Sequence, residues 1–162
     1  MTFSDKIPRA ITLSTRVDKP VLVTINNPFG QTHPLWPDPG TTGWRLWKML
    51  EFYTGATKKE YTRKFDRIHM SYDRKWSIQA ARENAAAVRE KLKRKHRVVL
   101  LGIETVKAMD TYSQPIYYRW KRNEDFQYMM IPLPSVRNRI YTDPVYTLMT
   151  CSLLAELYNE CQ

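Results

Sequence analysis

The chain has 162 residues, 43% of them hydrophobic and 12% aromatic, which suffices for one packed core and falls short of two ordinary domains. Lysine and arginine number 26 against 16 aspartates and glutamates, and the formal net charge of +10 favours a polyanionic partner such as nucleic acid. No stretch approaches the roughly 18 apolar residues of a membrane span, and "MTFSDKIPRAITLSTRVDK" lacks the apolar centre of a secretory signal, so the expectation is an intracellular protein (cytoplasm, nucleoid or nucleus), neither secreted nor membrane-bound.

"KPVLVTI", residues 19–25, is a short β-branched run after a proline and reads as a buried strand that ends at two adjacent asparagines. From there to Gly40 the chain concentrates prolines, glycines and aromatics, the residue types of a rigid loop. "TGWRLWKMLEFYTG" repeats Trp44, Trp47, Leu50 and Tyr53 at helical spacing, with Thr42 suited to cap the start and Gly55 the end. "KFDRIHM", residues 64–70, is a candidate second strand. The clearest helix is "SIQAARENAAAVREKLKRKH": Ser77 can cap it, Ile78, Ala81, Ala85, Val88 and Leu92 share one face, and cations crowd the C-terminal end that the helix dipole makes negative. Its basic end, "KLKRKHR", reads first as an exposed helix terminus and second as a DNA contact.

"RVVLLGI" follows at once, and its apolar run from Val98 to Ile103 is typical of a central parallel strand buried on both faces. A short helix "TVKAM" leads into an irregular stretch rich in Tyr and Arg, after which "YMMIPLPS" reads as a fourth strand ending at Pro132. The last helix, "VYTLMTCSLLAELYNEC", directs Leu148, Leu153, Leu154 and Leu157 toward the core. Strand and helix thus alternate, which predicts one α/β domain over residues 1–162: a three-layer α/β/α sandwich with a central four-stranded, mainly parallel sheet and right-handed crossovers. Ligands of such sheets bind beyond the carboxyl ends of the strands. Residues 26–40, His69 and Met70, Gly102, and residues 133–139 all follow strand ends, so they are expected at a single mouth.

Cys151 and Cys161 are the two cysteines, and with His33, His69 and His96 they form no metal-binding spacing, so reduced thiols, no metal and no other cofactor are expected. The order "INNPFG…PGTTGWRLWKML", "FDRIHM", "RVVLLG" and "IPLPSVRNRIYTDP" resembles the uracil-DNA glycosylase superfamily from about Val21 to the C-terminus. Its most specific part is "PSVRNRIYTDP", which is similar to the family's longer "HPSGRNRWYNDP" loop. The resemblance implies a monomeric, monofunctional enzyme that extrudes a nucleotide from single- or double-stranded DNA and hydrolyses the N-glycosidic bond of uracil or a modified pyrimidine. The one lysine in the matched motifs, Lys48, falls inside the predicted helix rather than at a strand end, so no covalent intermediate is expected.

Carried over residue by residue, Asn27 precedes Pro28 as the family's catalytic Asp or Asn precedes its proline, and Asn26 takes that place if Thr24 stands for the family's strand-terminal glycine. An amide oxygen at this position can orient a water beneath the sugar. Phe29 and Trp36 resemble the aromatics that line the base pocket, and His69 stands where many relatives carry a base-reading Asn. Ser135, Arg137, Asn138 and Arg139 are implied to face DNA, Ser135 toward a phosphate and the arginines toward the backbone and the gap left by the base. Leu133 departs from the family, replacing a His that stabilises the departing base anion. That departure keeps a second reading open, a noncatalytic DNA or modified-base binder on the same fold. A third, a nucleotide-metabolising enzyme, lacks the GxGxxG or GxxxxGK[ST] phosphate loop such a fold uses. Residue by residue the ordinary readings also stand: Asn-Asn-Pro as turn chemistry, Trp44 and Trp47 as core, His69 as a satisfied structural histidine.

Overall fold

A computed structural model of the protein describes residues 19–75, 77–109, 116–135 and 137–160. Five strands form one sheet in the order β2-β1-β3-β5-β4: β1 (Val21–Thr24), β2 (Asp66–His69), β3 (Val98–Leu101), β4 (Lys121–Arg122) and β5 (Gln127–Ile131). The first three and β5 are mutually parallel, with Thr24 opposite His69, Val21 opposite Val98 and Leu101 opposite Ile131. β1 and β3 are buried at every residue, as their unbroken apolar runs require.

The expected count of four strands is corrected to five by β4, which pairs antiparallel with β5 through a tight turn. Its two cationic residues have no apolar pattern of their own; the turn at Asn123, whose side-chain oxygen accepts from the Asp125 and Phe126 amides at 2.8 and 2.9 Å, delivers them to the sheet edge.

Two layers of helices cover the sheet. On one face lie α1 (Thr42–Thr54), α2 (Lys58–Lys64) and α5 (Pro144–Glu160), whose Leu46, Leu50, Tyr61, Leu154 and Leu157 pack on Leu22, Val99, Leu101 and Ile131. On the other lie α3 (Ile78–Leu92) and α4 (Ile103–Ala108), whose Ala81, Ala85, Val88, Leu92 and Val106 pack on Val21, Val23, Val98 and Leu100. Alternate residues of each strand feed the two clusters, as the pleat dictates. Ser77 caps α3 through the Ala80 amide at 3.1 Å, as expected, whereas the cap of α1 is Thr41, one residue before the predicted Thr42.

Helix α2 was not foreseen because Tyr61 is its one buried residue. It is held by a capping box in which Thr57 and Glu60 satisfy each other's backbone amides, at 3.1 and 2.9 Å. Leu148 does not face the core. It is 47% exposed beside Val145 and Met149, and the inward side of α5 is Cys151, Leu153, Leu154 and Leu157. Tyr53 is likewise exposed, at the far end of α1 from the Trp47 packing. Among the described residues no helix is long and apolar enough to cross a membrane.

The connectivity locates a crevice. From β1 the chain moves outward to β2 beneath α1 and α2, then returns past β1 to β3 beneath α3, on the opposite face. The loops that leave the carboxyl ends of β1 and β3 therefore diverge to opposite faces, and the gap between them is where ligands of open parallel sheets bind. Asn26 and Gly102 border that gap.

Candidate active site at the carboxyl ends of the strands

Strand register brings the predicted segments to one edge. Beyond β1 the parallel pairing continues, with the Met70 amide donating to the Thr24 carbonyl at 2.9 Å and the Ser71 amide to the Ile25 carbonyl at 3.0 Å. Beyond β3 and β5 the Gly102 amide donates to the Ile131 carbonyl at 2.8 Å, and Gly102, at φ +95°, lies beside Leu133. Strand alternation places Thr24, Asn26 and His69 on the α1 face of the sheet, the face over which the 31–41 loop folds.

The two asparagines differ sharply. Asn27 is 4% exposed and its amide is fully engaged: Nδ2 donates to the Gln31 carbonyl at 2.7 Å and Oδ1 accepts from the Gln31 amide at 2.9 Å. Gln31 in turn donates to the Trp36 carbonyl at 2.8 Å and to Asp38 at 3.1 Å, so Asn27 is the root of the loop that carries Trp36. Asn26 is 8% exposed, and its side chain makes no hydrogen bond among the described residues. Its oxygen and nitrogen are not sealed from solvent, so the amide is free to hydrogen-bond water or a ligand.

Trp36 is half-buried, flanked by the His33 ring at 4.9 Å and the Arg67 guanidinium at 5.5 Å. Phe29 stands at the rim, 48% exposed. The residue that aims the loop is Leu35, held at φ 51° although it is not glycine. Tyr61 donates to its carbonyl at 2.9 Å, its amide donates to His69 Nε2 at 3.4 Å, and Arg67 Nε donates to the neighbouring Pro34 carbonyl at 2.9 Å. From the opposite side Gly43 of α1 lets the helix backbone touch the Leu35–Trp36 peptide, where a Cβ would overlap both carbonyls. Gly43, Arg67 and Tyr61 were not among the residues expected at the site, and the glycine inside an otherwise apolar helix pattern was the available signal.

His69 accepts at Nε2, which leaves Nδ1 as the protonated nitrogen, and this Nδ1 is buried without a partner. Tyr72, exposed, meets the imidazole edge-on at 5.6 Å. The other buried, unpartnered side-chain nitrogen among the described residues is Nε of Arg45, in the first turn of α1 at the same end of the sheet. Burial lowers the His69 pKa from 6.5 to about 4, so the ring is neutral at physiological pH. Below pH 6.5 the unfolded chain takes up a proton that the folded protein refuses, so the stability this ring contributes is present above 6.5 and lost as pH falls toward 4. Urea-unfolding free energies are expected to decline across that window. His69→Asn should flatten the decline, and an identical slope in that variant would contradict the assignment.

The loop after β5 is built around Asn138. Its Nδ2 donates to the Leu133 carbonyl at 3.0 Å and its Oδ1 accepts from the Ile140 amide at 3.2 Å, capping the 3-10 turn Arg139–Thr142. Both ends of this amide serve the loop, a task that its polar neighbours concealed in the sequence. Tyr141 anchors the loop from below by donating to the Pro132 carbonyl at 2.6 Å, and Thr150 shares hydroxyl contacts with Tyr141 and Tyr118 at 3.2 and 2.8 Å. Among the described residues, Ser135 is half-buried with its hydroxyl unbonded, and Arg137 and Arg139 are exposed and unpaired.

No protein-family model matches this chain, and no curated protein sequence matches it significantly. The functional reading therefore rests on the site itself. Its elements are an uncommitted, solvent-reaching amide at the sheet's switch point, a neutral imidazole with a spare N–H donor, aromatics at the rim, and a clamped loop offering a hydroxyl and two cations unpaired among the described residues.

Proposed function

We propose that the protein is a monofunctional DNA glycosylase that extrudes uracil or a modified pyrimidine nucleotide into this mouth and hydrolyses its N-glycosidic bond. The observation that carries the reading is the state of Asn26: a largely buried residue whose amide has no internal partner among the described residues yet reaches solvent, at the switch point of the sheet where ligands of such folds bind. Its Oδ1 orients a water against the anomeric carbon. As the C–N bond breaks, its electron pair leaves with the base, the water oxygen bonds to carbon, and the water proton passes to solvent or to the departing base. His69 supplies a donor to a carbonyl of the base, and Trp36 with Phe29 forms the apolar wall, a stack worth roughly 1–3 kcal/mol. Asn27 acts one step back, holding the loop that carries Trp36.

The reading is tested by incubating the protein with oligonucleotides bearing uracil, mismatched thymine, or hydroxymethylated and glucosylated pyrimidines, followed by alkali. Strand breaks at one of these bases are expected. Leu133, half-buried against the core at the place where the glycosylases that the sequence resembles carry a base-stabilising His, favours a second reading, a binder without catalysis. No breaks on any substrate, with salt-sensitive binding retained, would establish that second reading instead. Arg137→Ala combined with Arg139→Ala is expected to weaken binding to either kind of site and to reduce the slope of log K against log salt by about 2. An unchanged slope would remove this loop from the interface.

A further inference from the structure

The proposed site occupies the carboxyl ends of the strands, but a second concentration of cations sits at the opposite edge. Helix α3 starts at the mouth and runs back so that β3 can begin at the amino edge, which carries its last turn and the 93–97 connection away from Asn26 by roughly 16 Å, about five strand residues at 3.3 Å each. Lys91, Lys93 and Arg94 are exposed there. The connection is stitched to the β4–β5 hairpin: the Arg94 amide donates to the Asp125 carbonyl at 2.7 Å, and the Gln127 amide donates to the Lys95 carbonyl at 2.9 Å. This brings exposed Arg122 of β4 onto the same surface, its guanidinium 3.4 Å from Gln127 Oε1. Two segments distant in sequence thus present their cations from one rigid platform.

Two features mark the platform as more than a solvated helix end. Arg94 holds φ 65°, a left-handed conformation that glycine adopts without strain, so a cation is kept at a backbone cost. The neighbouring acids do not neutralise the surface. Glu90 meets Lys93 at 3.2 Å in an exposed pair, with side chains 71% and 53% open, and such pairs exchange readily for phosphate. Glu160 is taken by Arg97 at 2.8 Å, and the Arg97 guanidinium lies 5.3 Å from the Trp120 ring. Glu124 and Asp125 lie in the hairpin turn beside Arg122.

We propose that this platform binds the phosphate backbone of a second DNA segment, so that the protein can hold one duplex at the mouth and another at the opposite edge of the sheet. The proposal does not depend on excision and holds equally for a binder. With the whole sheet between the two surfaces, a straight duplex seated at the mouth leaves the platform free for another.

The test uses the full chain and an unmodified duplex. With the mouth saturated by one duplex, Lys91→Gln/Lys93→Gln/Arg94→Gln is expected to weaken binding of a second, labelled duplex at least tenfold at low salt and to reduce the slope of log K against log salt for that second event by about 2.7, or 0.9 per charge. Wild type should retain a labelled duplex on beads that carry a second duplex, and the triple variant should not. Arg94→Gly separates binding from folding, since relief of strain should preserve or raise Tm while affinity falls. An unchanged salt slope for the second duplex, or persistent bridging in the triple variant, would overturn the proposal. So would loss of binding to anionic phospholipid vesicles with duplex binding intact, because the platform would then serve a lipid surface.

Discussion

Gly43→Ala is expected to destabilise the protein by about 3 kcal/mol and to displace the loop that carries Trp36. The new Cβ would overlap the Leu35 and Trp36 carbonyls, both backbone and both fixed. The Leu35 peptide cannot retreat, because Tyr61 and His69 hold it from the other side at 2.9 and 3.4 Å and its φ of 51° is already strained. Either the helix lifts off the core or the loop swings out. For a chain of this length the cost corresponds to a Tm lower by roughly 6–12 °C, and the Trp36 environment should change in near-ultraviolet circular dichroism. Unaltered Tm and spectrum would show that the helix and loop are not in register as described.

Asn26→Ala should do the reverse, removing catalysis without harming the fold. Its side chain gives up no hydrogen bond among the described residues and its amide reaches solvent, so truncation removes no internal bond and Tm is expected to stay level. Loss of water positioning should slow base release by at least about 100-fold. DNA affinity should be unchanged, because the contacts proposed for DNA lie on the rim. Asn27→Ala gives the opposite signature: two bonds to Gln31 disappear, the loop loosens, and stability falls together with activity. Melting curves and binding isotherms of both variants separate these outcomes.

Much of the architecture was legible because burial writes itself into composition. "VLVT" and "VVLL" are apolar at every position since both faces of a central strand are covered, and α3 repeats small apolar residues at helical spacing since one face is buried. Where a partner rather than the segment's own residues decides the conformation, the signal vanished: β4 exists by pairing with β5, and α2 by its capping box. At the candidate site, the gathering of these segments at one edge of the sheet was legible, but which side chains are spent on holding the loops was not. Asn26 and Asn27 are neighbours of identical chemistry, and only the loop's return to Gln31 distinguishes them. Asn138 looks like its arginine neighbours in a polar run, yet its amide closes the loop while theirs are the open cations.

The central claim is that the uncommitted Asn26 amide works on a nucleotide held in the mouth. Single-turnover release of free base from whichever modified duplex the wild-type protein cuts, measured for wild type and Asn26→Ala at equal DNA occupancy, tests it most directly. The account predicts a rate lower by at least about 100-fold in Asn26→Ala, with the folded protein and its DNA complex intact. Base release by Asn26→Ala at the wild-type rate would contradict it.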